Sequence, residues 1–191
     1  MGRSLNPVNP LKSWRRNGTT AAKLYGAIVA QARLAVCYQG FGVPDTLEGR
    51  FLILSLHLFG VLHRIEAEGP AARGLARDLT SRFGADMETV LREIGVGDLS
   101  MPKKMRSLAA SSAALLQTYE EALGSGEEVL AGAIVDALPS KQSGSEAVAR
   151  RLAHYLRAAL DLLRRQNFAQ SGAGDVIFPV VTAGEPKGNL T

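Results

Sequence analysis

Apolar side chains recur at helical spacing along most of the chain, and they crowd most densely between Phe51 and Leu62. Those twelve residues hold one serine, one histidine, one glycine and no formal charge. A helix that spans a membrane needs about 20 apolar residues, so the run predicts a buried helix instead. Asp45-Thr46-Leu47-Glu48 signals its start, with Asp45 capping the first amides and Glu48 reaching back to it. The helix is expected to reach about Ala67. At about 100° per residue, Phe51, Leu54, Leu58, Val61, Leu62 and Ile65, with Leu52, Leu56 and Phe59, cover well over half its circumference. That makes it the central helix of a bundle. Arg50, His57 and Arg64, at seven-residue intervals, form one narrow polar stripe beside Ile53 and Gly60. The stripe reads either as the floor of a groove or as an edge facing water.

The same period predicts helices around it. One over 21–38 is capped by Thr19 or Thr20, and another runs over 71–94 with Pro70 at its first position. A third opens at Ser100 and Pro102 and reaches about Leu123, a short one covers 127–138, and a long one covers 145–168. Gly95 and Gly97 suit a left-handed helix end. Residues 1–18, interrupted by Pro7, Pro10 and Gly18, are expected to form a flexible basic arm. Residues 171–191 lack a helical period and read as an extended or disordered tail, whose apolar piece Val176–Val181 docks as an extended segment. The fold class is therefore all-α: a single-domain bundle of about six helices over 19–170.

Composition narrows the function without naming it. Apolar content of 46% and charged content of 21% suit a globular chain, and the net charge of +4 is modest. The charge is unevenly spread. Arg3, Lys12, Arg15, Arg16 and Lys23 precede any acid, and Arg150, Arg157 and Arg164 share a face of the last helix. That face is either solvated or a docking surface for an anionic membrane or a ribosome. The single cysteine, Cys37, excludes an internal disulfide and points to a reducing compartment. His57 and His63 lie about 120° apart on a helix, which disfavours joint metal binding. The chain carries no phosphate-loop lysine and no nucleophile elbow. No metal, cofactor or catalytic residue is expected.

Two stretches carry a resemblance. Phe41-Gly42-Val43-Pro44-Asp45-Thr46-x-x-Gly49-Arg50-Phe51, followed by Leu56-His57, is the first. The second is Asp86-Met87-x-x-x-Leu91-Arg92-Glu93-x-Gly95-Val96-Gly97-Asp98-Leu99, followed by Lys103-Lys104. In this order and about 35 residues apart, they resemble the ubiquinol–cytochrome c chaperone family, with the likeness covering residues 22–165. The resemblance implies a non-enzymatic assembly factor for the respiratory ubiquinol–cytochrome c reductase that holds newly made cytochrome b. It further implies a peripheral position at the inner face of the cytoplasmic membrane, with a ribosome and a small helical protein as further partners. A chaperone for membrane helices needs an apolar groove with polar margins. The expected groove lies between helix 45–67 and the segment around Arg92–Lys104. Its candidate rim is Arg50, His57, Arg64, Arg92, Asp98 and Lys103, with Phe51 and Met101 as apolar contacts. For each residue the alternative is structural: Arg50 pairing with Asp45 or Glu48, Asp98 as a turn residue, Phe51 as core.

Overall fold

In the computed structural model, residues 10–139, 141, 143–166 and 176–181 are described, with the side chains of 10–17 left aside. These residues form α1 (Pro10–Ala32), α2 (Ala35–Gln39), α3 (Leu47–Glu66), α4 (Arg73–Glu93), α5 (Met101–Ser125), α6 (Glu127–Ala137) and α7 (Ser145–Arg164). A single 3-10 turn, Pro70–Ala72, leads into α4. No strand occurs among the described residues, and the architecture is one all-α domain.

α3 is the axis of the bundle. Twelve of its twenty residues are buried, and its two faces feed two apolar clusters. Leu52, Ile53, Leu56 and Phe59 face α6 and α7, in a cluster with Leu130, Ile134, Leu152 and Leu156. Leu58, Val61 and Ile65 face α1 and α4, in a cluster with Leu24, Ile28, Leu75 and Leu79. Each fully buried aliphatic side chain contributes about 1.5–3 kcal/mol, so a helix buried on nearly all sides orders the whole molecule.

Two element boundaries differ from the sequence expectation. α1 begins at Pro10, inside the stretch expected to be a flexible arm, because proline suits the first helical position and Gly18 costs only about 1 kcal/mol there. Residues 1–9 lie outside the described residues. The helix expected over 21–38 is broken at Arg33–Leu34, where an extended Leu34 (φ −62°, ψ 126°) starts the separate α2. With that break the described residues hold seven helices instead of about six. In the tail, Val176–Val181 is non-helical with Phe178 and Val181 buried, while residues 167–175 and 182–191 lie outside the described residues.

Candidate functional site

The first motif folds as the turn that launches α3. Gly42 takes a φ of +78°, a left-handed conformation open to glycine. The carbonyl of Phe41 before it accepts from Nη2 of Arg151 at 2.8 Å, which ties the turn to α7. The cap of α3 is Thr46 and not Asp45: its Oγ1 accepts from the amide of Gly49 at 3.2 Å. Asp45 lies one residue too early and is drawn to Arg50 at 2.6 Å. The guanidinium holds the Asp45 carboxyl below its ordinary range. Gly49 meets the turn so closely that a Cβ would lie 2.0 Å from the carbonyl oxygen of Pro44.

The second motif folds as the corner between α4 and α5. Asp86 accepts from the Tyr25 hydroxyl at 2.7 Å, fastening α4 to α1. Burial, and then the Asp86 carboxylate, push the Tyr25 hydroxyl upward. Arg92 spans Glu88 at 2.8 Å and Asp98 at 2.5 Å, and Gly95 turns the chain with a φ of +89°. The corner leaves Leu99 fully exposed and Ile94 more than half exposed, with Lys103 and Lys104 exposed just beyond.

The two turns share one end of the bundle. α3 and α4 are joined by a short link and run antiparallel, with the Phe51 and Phe83 rings 6.1 Å apart. That geometry sets Arg50 and Phe51, in the first turns of α3, toward the same end as Arg92 at the close of α4, Asp98 in the corner and Lys103 at the start of α5. The apolar surface there is partly open, because α5 buries only Met101, Tyr119 and Ala122 along its 25 residues. Phe51, Leu54, Val90 and Leu108 are half-buried along the seam that α5 leaves with α3 and α4.

One expected apolar contact, Met101, and two expected rim residues, His57 and Arg64, are not available at that surface. Met101 is 4% exposed and already covered by the fold. His57 is 3% exposed, so it is no rim residue. Its Nδ1–H donates to the carbonyl of Ile53 at 2.8 Å, which leaves Nε2 to accept from the Tyr155 hydroxyl at 2.8 Å. The Tyr155 oxygen in turn accepts from Nε2 of Gln31 at 3.3 Å, so α1, α3 and α7 share one polar chain. Burial lowers the His57 pKa to about 4. Arg64 lies at the far end of α3, where it donates to the carbonyls of Leu163 at 3.0 Å and Gln166 at 2.8 Å and pairs with Glu68 at 3.0 Å. The stripe is aligned on the helix as its spacing required, but α7 covers it beyond Arg50.

The basic face of α7 is partly engaged within the chain, with Arg150 and Arg164 more than half exposed. Arg150 lies near Glu128 and Glu146 at 3.9 and 3.6 Å, and Arg164 pairs with Asp161 at 2.7 Å. Arg157 is half-buried and donates to the carbonyl of Leu123 at 3.2 Å. Sequence reasoning quoted Gly42, Thr46 and Gly49 in the first motif but missed the cap at Thr46, the close approach at Gly49 and the tie from Arg151. Two glycines within eight positions of a helix start were the available signal. A recess of about 720 Å³ lined by Ile65, Pro70, Arg73 and Arg77 lies at the opposite end of α3, and no candidate residue lines it. Among the described residues, no group of three or more His, Cys, Asp or Glu side chains is placed to hold a metal. Among them, too, no helix is long and apolar enough to cross a membrane.

Residues 39–178 match the family described as ubiquinol-cytochrome C chaperone. The chain is 26% identical over 158 residues to ubiquinol-cytochrome-c reductase complex assembly factor 1 of Xenopus laevis, covering 82% of this chain and 78% of the frog protein. The mouse protein of that name is 24% identical over 162 residues, covering 84% of this chain and 55% of the mouse protein. Among solved structures, the Cbp3 homologue from Brucella abortus superposes with a TM-score of 0.78 at 33% identity, covering 89% of this chain and 94% of that one.

Proposed function

Because the chain belongs to the ubiquinol–cytochrome c chaperone family, we propose that it is a non-enzymatic chaperone that binds newly synthesised cytochrome b while the reductase is assembled. The observation that carries this reading is the family match across 39–178, which takes in the entry to α3, the α4–α5 corner and α7. The corner's chemistry supports it. A client of apolar membrane helices needs exposed apolar contacts framed by charge, and Ile94 and Leu99 stand beside Lys103 and Lys104. The client contact runs from this corner along the half-buried seam at Phe51, with Arg50, Arg92, Asp98 and Lys103 at its margin. The anionic inner face of the cytoplasmic membrane is the place where such a client emerges, and a ribosome or a small helical protein would meet the complex there.

A basic helical RNA- or ribosome-binding module without a client-holding role is the poorer reading, because Arg151 and Arg157 of α7 are held by carbonyls inside the chain and the exposed Arg150 and Arg164 stand beside acids that offset their charge. The test is deletion of the gene, followed by replacement with a Leu99→Glu, Ile94→Glu variant. Deletion is expected to lower assembled cytochrome b without lowering its transcript, and the double variant to restore it poorly although it folds normally. Full reductase levels in the deletion strain would refute the reading.

A further inference from the structure

The tail segment Val176–Val181 occupies a furrow of the bundle. Phe178 meets the His57 ring of α3 edge-on, with centroids 4.9 Å apart and planes at 85°. It joins the cluster that holds Leu24 and Ile28 of α1 and Leu163 of α7, and so sits where three helices converge. Val181, three residues on, joins the cluster that holds Tyr155. Ile177 and Val180 point outward, 60% and 86% exposed. The polar hold comes from one side-chain amide: Nε2 of Gln166 donates to the carbonyl of Ile177 at 2.8 Å, and its Oε1 accepts from the Ile177 amide at 3.0 Å.

This is how a peptide-binding groove recognises an extended segment. A pocket takes an aromatic anchor, a second takes a small apolar side chain, and the main chain is read by a donor–acceptor pair as a strand edge would read it. Gln166 reads backbone alone, so the furrow selects apolar extended chain without demanding one sequence. We propose that the furrow is a second client-binding surface, separate from the α4–α5 corner, and that the tail is its resident occupant, replaced by an extended apolar segment of unassembled cytochrome b. This rests on the chaperone reading above. A segment tethered about ten residues from the end of α7 competes at an effective concentration on the order of millimolar. It therefore covers the apolar furrow until a client segment accumulates locally, and it keeps the empty chaperone from self-association.

The test uses the full chain and a fluorescent peptide copying residues 175–182. Wild type is expected to bind this peptide weakly, and Phe178→Ala to bind it about tenfold or more tightly, because the internal competitor has lost its anchor. Val180→Ser alters an exposed neighbour and is expected to bind as wild type does. Gln166→Ala releases the backbone hold with the aromatic pocket intact and is expected to gain a smaller factor in the same direction. It decides the matter should Phe178→Ala fail to fold. A lysine-tagged peptide copying a membrane helix of cytochrome b is expected to displace the fluorescent one with the same ranking of variants. Equal binding by wild type and the two tail-release variants would overturn the proposal, as would failure of the cytochrome b peptide to compete. Concentration-dependent dimerisation that Phe178→Ala abolishes would overturn it too, by making a second copy the occupant. The chaperone reading fails separately, when deletion of the gene leaves cytochrome b at its full level.

Discussion

His57 has both ring nitrogens committed inside the protein, and that fixes what it does. A carbonyl can only accept, so Ile53 holds the proton on Nδ1, and the Tyr155 hydroxyl donates to Nε2. A second proton would displace the Tyr155 donor and place a charge where burial already lowers the pKa to about 4. The unfolded chain binds that proton near 6.5. Between these values the unfolded state holds more protons than the native one, so stability rises with pH in that window. The contribution is complete above about 6.5 and is lost as the pH falls towards 4, a total of roughly 3 kcal/mol. Urea titrations from pH 7 to pH 4 are expected to show this loss in wild type. In His57→Gln the slope should be shallower by about one proton, with stability at pH 7 lower by about 1–3 kcal/mol for the lost Tyr155 bond. The heptad spacing placed His57 in line with Arg50 and Arg64, correctly. Its burial depended on Tyr155, 98 residues away, and no local pattern carries that distance.

At the scale of the element, the first motif is a device for starting a helix. Phe41-Gly42 turns the chain, Thr46 caps, and Gly49 lets the first turn of α3 touch the Pro44 carbonyl. Gly49→Ala places a methyl 2.0 Å from a backbone oxygen that has no side-chain freedom to move. The loss is expected to exceed that of a removed cap. Thr46→Ala should cost about 1 kcal/mol, and Gly49→Ala several times as much, with the midpoint of chemical unfolding as the measurement. Equal costs for the two would mean that the turn yields easily. Helix positions were readable because the apolar period is local: α3, α4, α5, α6 and α7 each fall within a few residues of their expected spans. Caps and breaks were less readable, because they depend on which of two adjacent polar residues finds a partner. Asp45 and Thr46 are such a pair.

At the scale of the molecule, a single central helix was legible from one apolar run, whereas the closure of the bundle around it was not. Arg64 makes that closure. It stands on α3 and caps the C-terminal end of α7, donating to the carbonyls of Leu163 and Gln166 while Glu68 balances its charge. A cation at this end also meets the negative pole of the α7 dipole. The same contact fixes Gln166, whose amide holds Ile177, so one guanidinium orders the α7 terminus and, through it, the docked tail. Replacing it with methionine retains much of the apolar stem but leaves carbonyls of a partly buried helix end without their donor. Charge-assisted hydrogen bonds contribute about 1.5–3 kcal/mol each when intact, and Arg64→Met is expected to lower stability by about 2 kcal/mol. Lysine cannot span two carbonyls with one planar fork, so Arg64→Lys should recover only part of the loss. Hydrogen exchange separates this role from a general weakening of the core. In Arg64→Met, amides near the end of α7 and at Ile177 should lose protection first, while those in the middle of α3 exchange as in wild type. Uniform loss across α3 and α7 would instead make Arg64 an ordinary packing residue, and the tail would then be held by its own burial alone.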